Sequence, residues 1–484
     1  MKRKAKLPLP AARPLPRQGK GRAAAPPAQP GRFDPKAYAR KRACVLGLGR
    51  SGYHAAVLLA GKGFRVLVSD EKPRKELPLA SRLPKGVVLE AGGHGEKALT
   101  CAFAVKSPGI ASGAPILARL KSAGIPVFSE LEVALAFCKA REVLAVTGTN
   151  GKTTTTALTA AVFQAARRRV HALGNIGTPL SQRVRGIRAG DVLVLEVSSY
   201  QLEDSRFLRP AAAAILNITS DHVDHHGSMA AYMAAKARVF RGMDRSGVCV
   251  LNASDPLVVG LSRGCGARKL FFSLRPTEGS CAWFEGGKLR VQLPGDKKPR
   301  SLSAPRLPGE HNLENAMAAT LLALSRKVDL KAVERAFKSF QGVEHRLEDC
   351  PKAKGLFCIN DSKATNVDST LVALKSLQDR AGKILLILGG LAKPGGFAAL
   401  KPLVASTVKA VLTIGSAAAK IEEDLAGAAH VFPCETLEVA VSVALRIGLP
   451  GETLLLSPAC ASMDQFKDYE HRGRTFKELL RKRP

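Results

Sequence analysis

The sequence predicts an α/β protein of three domains, each built on a mainly parallel sheet. Three observations carry this. The chain has 484 residues, more than one ordinary hydrophobic core accommodates. Apolar runs of strand length alternate with helix-like stretches along most of it, the pattern of βαβ units. Two glycine-rich loops, "VLGLGRSG" at 45–52 and "AVTGTNGKTTTT" at 145–156, each join such a strand to such a helix.

Composition narrows the class. Apolar content of 46% and charged content of 24% are those of a globular protein in water. No apolar run is long enough to span a membrane. The ten cysteines are scattered with no Cys-x-x-Cys pair, which fits neither a zinc site nor a disulfide framework and suits a reducing cytoplasm. Residues 1–42 stand apart: thirteen Lys or Arg against one acid, Asp34, give +12 of the net +34. This Pro-, Ala- and Arg-rich segment is expected to be a disordered tail. It has no long apolar core, so it does not read as a secretory signal. It has no Ser or Thr, which speaks against a transit peptide. Such a tail binds polyanions weakly and without specificity.

The first domain is expected over 43–140. "RACVLGLGRSGYHAAVLLAGKGFRVLVSD" reads strand, glycine turn, helix, strand. Gly47-x-Gly49-x-x-Gly52 is followed about 20 residues on by Asp70, the Rossmann-like dinucleotide fingerprint. Alone it predicts a nicotinamide or flavin enzyme. It specifies a nucleotide-like ligand at a helix N-terminus, not which ligand.

The second domain is expected over 141–341, with a P-loop ATPase-like start. In "EVLAVTGTNGKTTTTALTAAVFQAA" the backbone N–H groups of 148–153 would cradle phosphate, Lys152 would reach the β and γ phosphates, and the Thr153 hydroxyl would ligate Mg2+. Val146 stands where the full Walker pattern has its first glycine, so this is a shorter variant. The plainer reading is a Thr-rich helix start, but a lysine there opposes the helix dipole. "DVLVLEVSSYQLE" places Glu196 at the end of a buried-type strand, where Mg2+ would be held. "AAAILNITSDHVDHHG" is a strand running into Asp221, His222, Asp224, His225 and His226. One histidine at such a strand end suits a metal or a substrate; the pair His225-His226 reads as solvated. Lys236, in the helical "MAAYMAAKARVF", reads by itself as a surface charge, as a lone lysine there usually is.

The third domain is expected over 342–484. After the helix "KAVERAFKSF" comes "VEHRLED". Then "CINDSKATN", "KILLILGGLAKPGG" and "ETLLLSPACASMDQF" are three strands that end in polar loops at Asp361, Lys393 and Ser457. Interleaved with helices they make an open parallel sheet, which binds ligands at its carboxyl ends.

Ten motifs in order carry a resemblance: "GTNGKTTT", "GNIGTPL", "LEVSSYQLE", "NITSDHVDHHG", "YMAAKARVF", "GEHNLENAMAA", "HRLE", "NDSKATN", "LILGGLAK" and "SPACASMDQF". Over 43–480 the chain resembles the Mur ligases, and "NDSKATN" and "SPACASMDQF" resemble the branch that adds D-glutamate. The resemblance implies ATP-driven amide bond formation in peptidoglycan precursor synthesis, through an acyl phosphate. It implies that the first loop serves UDP-N-acetylmuramoyl-L-alanine, with Gly49, Arg50, Ser51, Asp70, Ser107, Pro108, Gly109 and Asn175 on that side. Asp70 would then meet a uridine-side group. ATP would lie on Thr147, Gly148, Thr149, Asn150, Gly151, Lys152, Thr153 and Thr154, with Asn315, Arg346 and Asp361 at its purine, phosphates and ribose. Mg2+ would be held by Thr153, Glu196, His222 and a carbamylated Lys236; Lys152, Glu196, His222 and Lys236 would be the catalytic set. Thr365, Lys393, Ser462, Met463 and Tyr469 match the D-glutamate pocket, with Tyr469 where the family commonly has Phe. A cytoplasmic monomer is expected, opening near 342–344 when no nucleotide is bound. The alternatives are another amino-acid-adding Mur ligase, a folylpolyglutamate-synthase-like ligase, a dinucleotide-binding dehydrogenase, or a silent binding protein. A dehydrogenase needs no Lys152, and a silent homologue has no use for Lys152, Glu196 and His222 together.

Overall fold

Strand β1 (Arg42–Leu46) is buried from its second residue onward, because both its faces are covered. It is the centre of a five-stranded parallel sheet with β2 (Arg65–Asp70), β3 (Val88–Ala91), β4 (Phe103–Lys106) and β5 (Val127–Ser129), in the order β3-β2-β1-β4-β5. The glycine loop leaves β1 into the helix Arg50–Ala60. The computed structural model describes residues 32–175, 177–219, 223–378 and 382–482.

The chain joins this fold before β1. Within the segment expected to be disordered, Phe33 is 2% exposed. Its ring lies 5.1 Å from Phe103 and 5.2 Å from Phe128, and Tyr38 lies 4.8 Å from Phe103. A mean over 1–42 hides this: two aromatic rings hold 32–42 against the sheet although the composition around them is polar. Residues 1–31 lie outside the described residues.

The second sheet has nine strands: β6 (Glu142–Thr147), β7 (Val170–Gly174), β8 (Val192–Glu196), β9 (Ala212–Ile215), β10 (Val248–Asn252), β11 (Arg268–Ser273), β12 (Ser280–Glu285), β13 (Lys288–Val291) and β14 (Arg300–Leu302). Their order is β14-β13-β12-β11-β10-β9-β6-β8-β7, parallel except for the β12-β13 and β13-β14 pairs. The helix Lys152–Ala165 starts on the loop after β6 and packs on one face with the helix Glu310–Ser325. The helix Met229–Arg241 covers the other.

The third sheet is β15 (Glu348–Ala353), β16 (Leu356–Asn360), β17 (Ile384–Gly389), β18 (Val408–Ile414), β19 (His430–Glu435) and β20 (Thr453–Leu456), ordered β15-β16-β20-β17-β18-β19, with only β15 antiparallel. The three strands read in the sequence are its middle, β16, β20 and β17. Its loops are tied together by Arg472, which is fully buried. Arg472 donates to Ser362 Oγ at 3.1 Å, to Ser362 O at 2.9 Å, to Cys460 O at 3.0 Å and to Gly389 O at 3.4 Å. Those oxygens follow or end β16, β20 and β17, so one guanidinium holds three strand ends in register.

Candidate active site

The carboxyl ends of the first sheet open into a cleft of about 810 Å³. All eight residues expected on the sugar-nucleotide side line it: Gly49, Arg50, Ser51, Asp70, Ser107, Pro108, Gly109 and Asn175. The loop is tight. Gly47 has φ +84°, and a Cβ on Gly52 would stand 1.9 Å from Gly47 O, so only glycine fits there. Both oxygens of Asp70 accept backbone N–H groups, Leu48 at 2.6 Å and Lys72 at 2.9 Å. Asp70 thus holds the loop closed from its acidic side while it lines the cleft. Arg50 reaches out of its own domain and donates to Gly177 O.

The second loop is closed by cations instead. Gly151 has φ +81°, and a Cβ there would meet Asn315 Oδ1 at 2.2 Å. Lys152 Nζ donates to Gly148 O at 3.0 Å and Thr149 O at 2.7 Å, so its ammonium curls over the loop. Lys236, which as a lone lysine reads as a surface charge, is 1% exposed. It donates to Gly148 O at 2.7 Å and lies 4.6 Å from the centre of the Tyr232 ring. Tyr232, Ala235, Lys236, Val239 and Phe240 are the buried stripe of their helix, and the lysine sits in the middle of it. The Tyr232 hydroxyl in turn lies 2.9 Å from Thr149 Oγ1. Thr147, Thr153 and Thr154 are buried beneath the loop. Asn150 is pinned by Asn217, whose Oδ1 accepts its N–H at 2.8 Å.

Glu196 ends β8 and is 1% exposed. Asn175, from the wall of the large cleft, donates to Glu196 Oε1 at 2.8 Å; Oε2 has no hydrogen-bond partner among the described residues. Burial pushes this carboxyl up, but Lys363 and Lys152, with Asn175 and Thr153, outweigh it and hold it below its ordinary value. An ionised carboxylate with one orphaned oxygen, beside the Thr153 hydroxyl, is a donor set that suits a hard cation such as Mg2+.

The sequence reading missed Lys363. It lies within "NDSKATN" in the third domain, yet its Nζ donates to Thr153 Oγ1 at 2.7 Å and lies 5.5 Å from the Tyr469 ring centre. Burial pushes its pKa from 10.5 down to about 8; Arg346 and Lys152 act the same way and Glu196 opposes them. The third domain therefore touches the glycine loop of the second through this lysine.

Beside the loop, a crevice of about 220 Å³ is lined by Asn150, Gly151, His311, Asn315, Arg346 and Asp361 among others. It joins the second and third domains. Asp361 accepts Ser457 Oγ at 2.8 Å and Leu347 N at 3.2 Å, and burial raises its pKa to about 6 against the pull of Arg346. Burial, then Arg346, lowers His311 to about 4, so its ring is neutral.

The residues matched to D-glutamate are less gathered. Tyr469 lines the large cleft with Arg50 and Asn175, whereas Thr365, Lys393, Ser462 and Met463 do not. Ser462 is buried, Lys393 is exposed, and Met463 is 71% exposed. His222 lies outside the described residues.

Three family models match the chain: the Mur ligase MurD-like N-terminal domain at 41–129, the Mur ligase middle domain at 146–323, and the Mur ligase glutamate ligase domain at 345–460. A UDP-N-acetylmuramoylalanine--D-glutamate ligase of Elusimicrobium minutum is 44% identical, covering 93% of this chain and 99% of that protein. One of Koribacter versatilis is 41% identical over 91% and 97%. Among solved structures, UDP-N-acetylmuramate-alanine ligase MurC of Thermotoga maritima has the same fold at 20% identity, with a TM-score of 0.60 over 91% of this chain and 99% of that one.

Proposed function

The chain belongs to the Mur ligase family, and we propose that it joins D-glutamate to UDP-N-acetylmuramoyl-L-alanine with cleavage of ATP, an acid–D-amino-acid ligase of peptidoglycan precursor synthesis. The observation that carries this reading in the structure is Asn175. It lines the large cleft and bonds Glu196, so the cleft that would hold the sugar nucleotide meets the phosphate loop there.

A carboxylate does not acylate an amine in neutral water, because its oxygen is a poor leaving group. Transfer of the γ-phosphoryl group of ATP to the alanyl carboxylate makes an acyl phosphate. The D-glutamate amine then adds to the carbonyl carbon, phosphate leaves, and the amine's proton is lost. The protein's share is alignment and charge. In this reading Lys152 swings from the loop carbonyls onto the β and γ phosphates. Lys363 neutralises the transferring group from the opposite side. The crevice at Asn315, Arg346 and Asp361 takes the nucleoside end. Tyr469, with Thr365, Lys393, Ser462 and Met463, receives D-glutamate, the exposed Lys393 meeting its side-chain carboxylate. Thr153, Glu196, His222 and Lys236, once carbamylated, would hold Mg2+, which neutralises phosphate charge when bound. Carbamylation would turn the Lys236 ammonium into an anion, reversing its contact with Gly148 O.

No described helix is long and apolar enough to cross a membrane. The reading implies a cytoplasmic enzyme with soluble substrates, acting as a monomer. The test is phosphate release with each component omitted in turn. Release should require the sugar nucleotide, ATP, Mg2+ and D-glutamate together. Release with L-lysine or meso-diaminopimelate and none with D-glutamate would move the chain to another branch of the family.

A further inference from the structure

Three side chains outside the site above converge on one point. Glu203 ends the helix Ser199–Glu203; His225 and His226 end the helix Val223–His226. Glu203 Oε2 lies 3.0 Å from His225 Nε2 and 3.8 Å from His226 Nδ1. All three ligand-type atoms fall within 4.8 Å of one another. The pair read as solvated in the sequence is therefore folded inward. The Tyr200 ring packs edge-on against His225 at 4.2 Å, and the Tyr232 ring lies 5.4 Å from His226.

His226 makes this more than an ion pair. Its side chain is 1% exposed, and neither ring nitrogen has a hydrogen-bond partner among the described residues. Buried polar atoms are seldom left so without a ligand to satisfy them. Its Nδ1 faces the carboxylate from too far for a hydrogen bond. A tetrahedral Zn2+ with bonds near 2.1 Å spaces its ligands about 3.4 Å apart. The observed 3.0 and 3.8 Å lie on either side of that value. The nearby Lys106 does not oppose a cation here with a free charge, because Asp204 holds it at 2.6 Å. Glu203 and His225 keep side-chain exposures of 21% and 12%, which leaves an entry path and room for a water as fourth ligand.

We propose that Glu203, His225 and His226 form a binding site for a divalent transition-metal ion, distinct from the Mg2+ position at Thr153 and Glu196. Two imidazoles and a carboxylate select Zn2+ or its neighbours over Mg2+. The ion fastens the end of one helix to the next, and so braces the segments that follow Glu196 and His222.

The probe is Zn2+, with the full chain dialysed in excess Mg2+ and the metal counted by elemental mass spectrometry. One Zn2+ per chain is expected. Glu203→Gln and His226→Asn should each weaken it at least about tenfold. His222→Ala should retain it, because His222 belongs to the other position. Zinc lost in His222→Ala but kept in Glu203→Gln would overturn the site, as would wild-type protein that binds no zinc against Mg2+. If a variant fails to fold, Co2+-loaded wild type decides: the strong visible bands of a tetrahedral nitrogen–oxygen site, displaced by one equivalent of Zn2+, support it, and weak octahedral bands overturn it.

Discussion

The two glycine loops have the same architecture and opposite electrostatics. Each leaves a buried parallel strand and enters a helix, and each depends on a glycine at positive φ, Gly47 in one and Gly151 in the other. In the first, the acid Asp70 accepts the loop's N–H at Leu48. In the second, Lys152 and Lys236 donate to the loop's carbonyls at Gly148 and Thr149, and Lys363 arrives from another domain. The strand–loop–helix frame says that phosphate is welcome; the surrounding charge says how much of it. The ammonium groups of Lys152 and Lys363 beside one loop suit a transferring phosphoryl group. A loop closed by a carboxylate suits a nucleotide that is held but does not react.

That contrast can be broken by experiment. The largest expected effect is on the frame of the first loop. Phe33→Ala removes a ring packed against Phe103 and Phe128, and should lower the stability of that sheet by about 3–5 kcal/mol. Deleting 1–31 should leave the melting curve and turnover nearly unchanged. Deleting 1–40 should behave like Phe33→Ala; an unaltered melting curve there would mean that the aromatic anchor is ornamental.

Next comes the second loop. Lys152→Ala should lower turnover by on the order of 10² or more, while equilibrium binding of the sugar nucleotide stays as it was. Near-normal phosphate release would make the loop structural.

The pH profile sharpens the role of Lys363. Its pKa is depressed to about 8, so the ammonium is present below that pH and lost above it. The kcat/KM for ATP should therefore fall as pH rises through about 8. Lys363→Met should lower kcat/KM at pH 7 and abolish that alkaline limb; a limb that persists in the variant belongs to another group.

The smallest effect is expected at Asp70. Asp70→Asn keeps an acceptor for one N–H and loses the charge, so the sugar-nucleotide KM should rise several-fold and the ATP KM should not move. Equal changes in both would show that the two loops are not separate.

Much of this was legible in the sequence because it is local. Strand runs, glycine spacing and the Gly-Lys-Thr step point to three mainly parallel sheets and two loops, and all eight residues that the resemblance put on the sugar-nucleotide side line one cleft. What was missed is long-range. Lys363 meets Thr153 across 210 residues, and nothing in "NDSKATN" alone points at a loop in another domain. Phe33 was lost in the composition of its neighbours. Lys236 is different, because its signal was present. A lysine four residues after Tyr232 and three before Val239 lies on a buried helical stripe, and periodicity alone contradicts a surface reading. The histidine pair gave no such sign, since adjacent helical residues ordinarily point apart.

Arg472 has a consequence for how the amine comes to the carbonyl. Loops that bind substrate usually flicker on their own, and each must be stilled when the ligand arrives. Here the chain after β16, the end of β17 and the chain after β20 share one guanidinium, so they cannot wander independently. Asp361, which lines the crevice beside the second loop, and Ser462, which the resemblance matches to the incoming amino acid, ride on the same rigid platform. Ordering them costs one collective docking motion rather than three separate immobilisations, and Asp361 and Ser462 keep a fixed spacing through it.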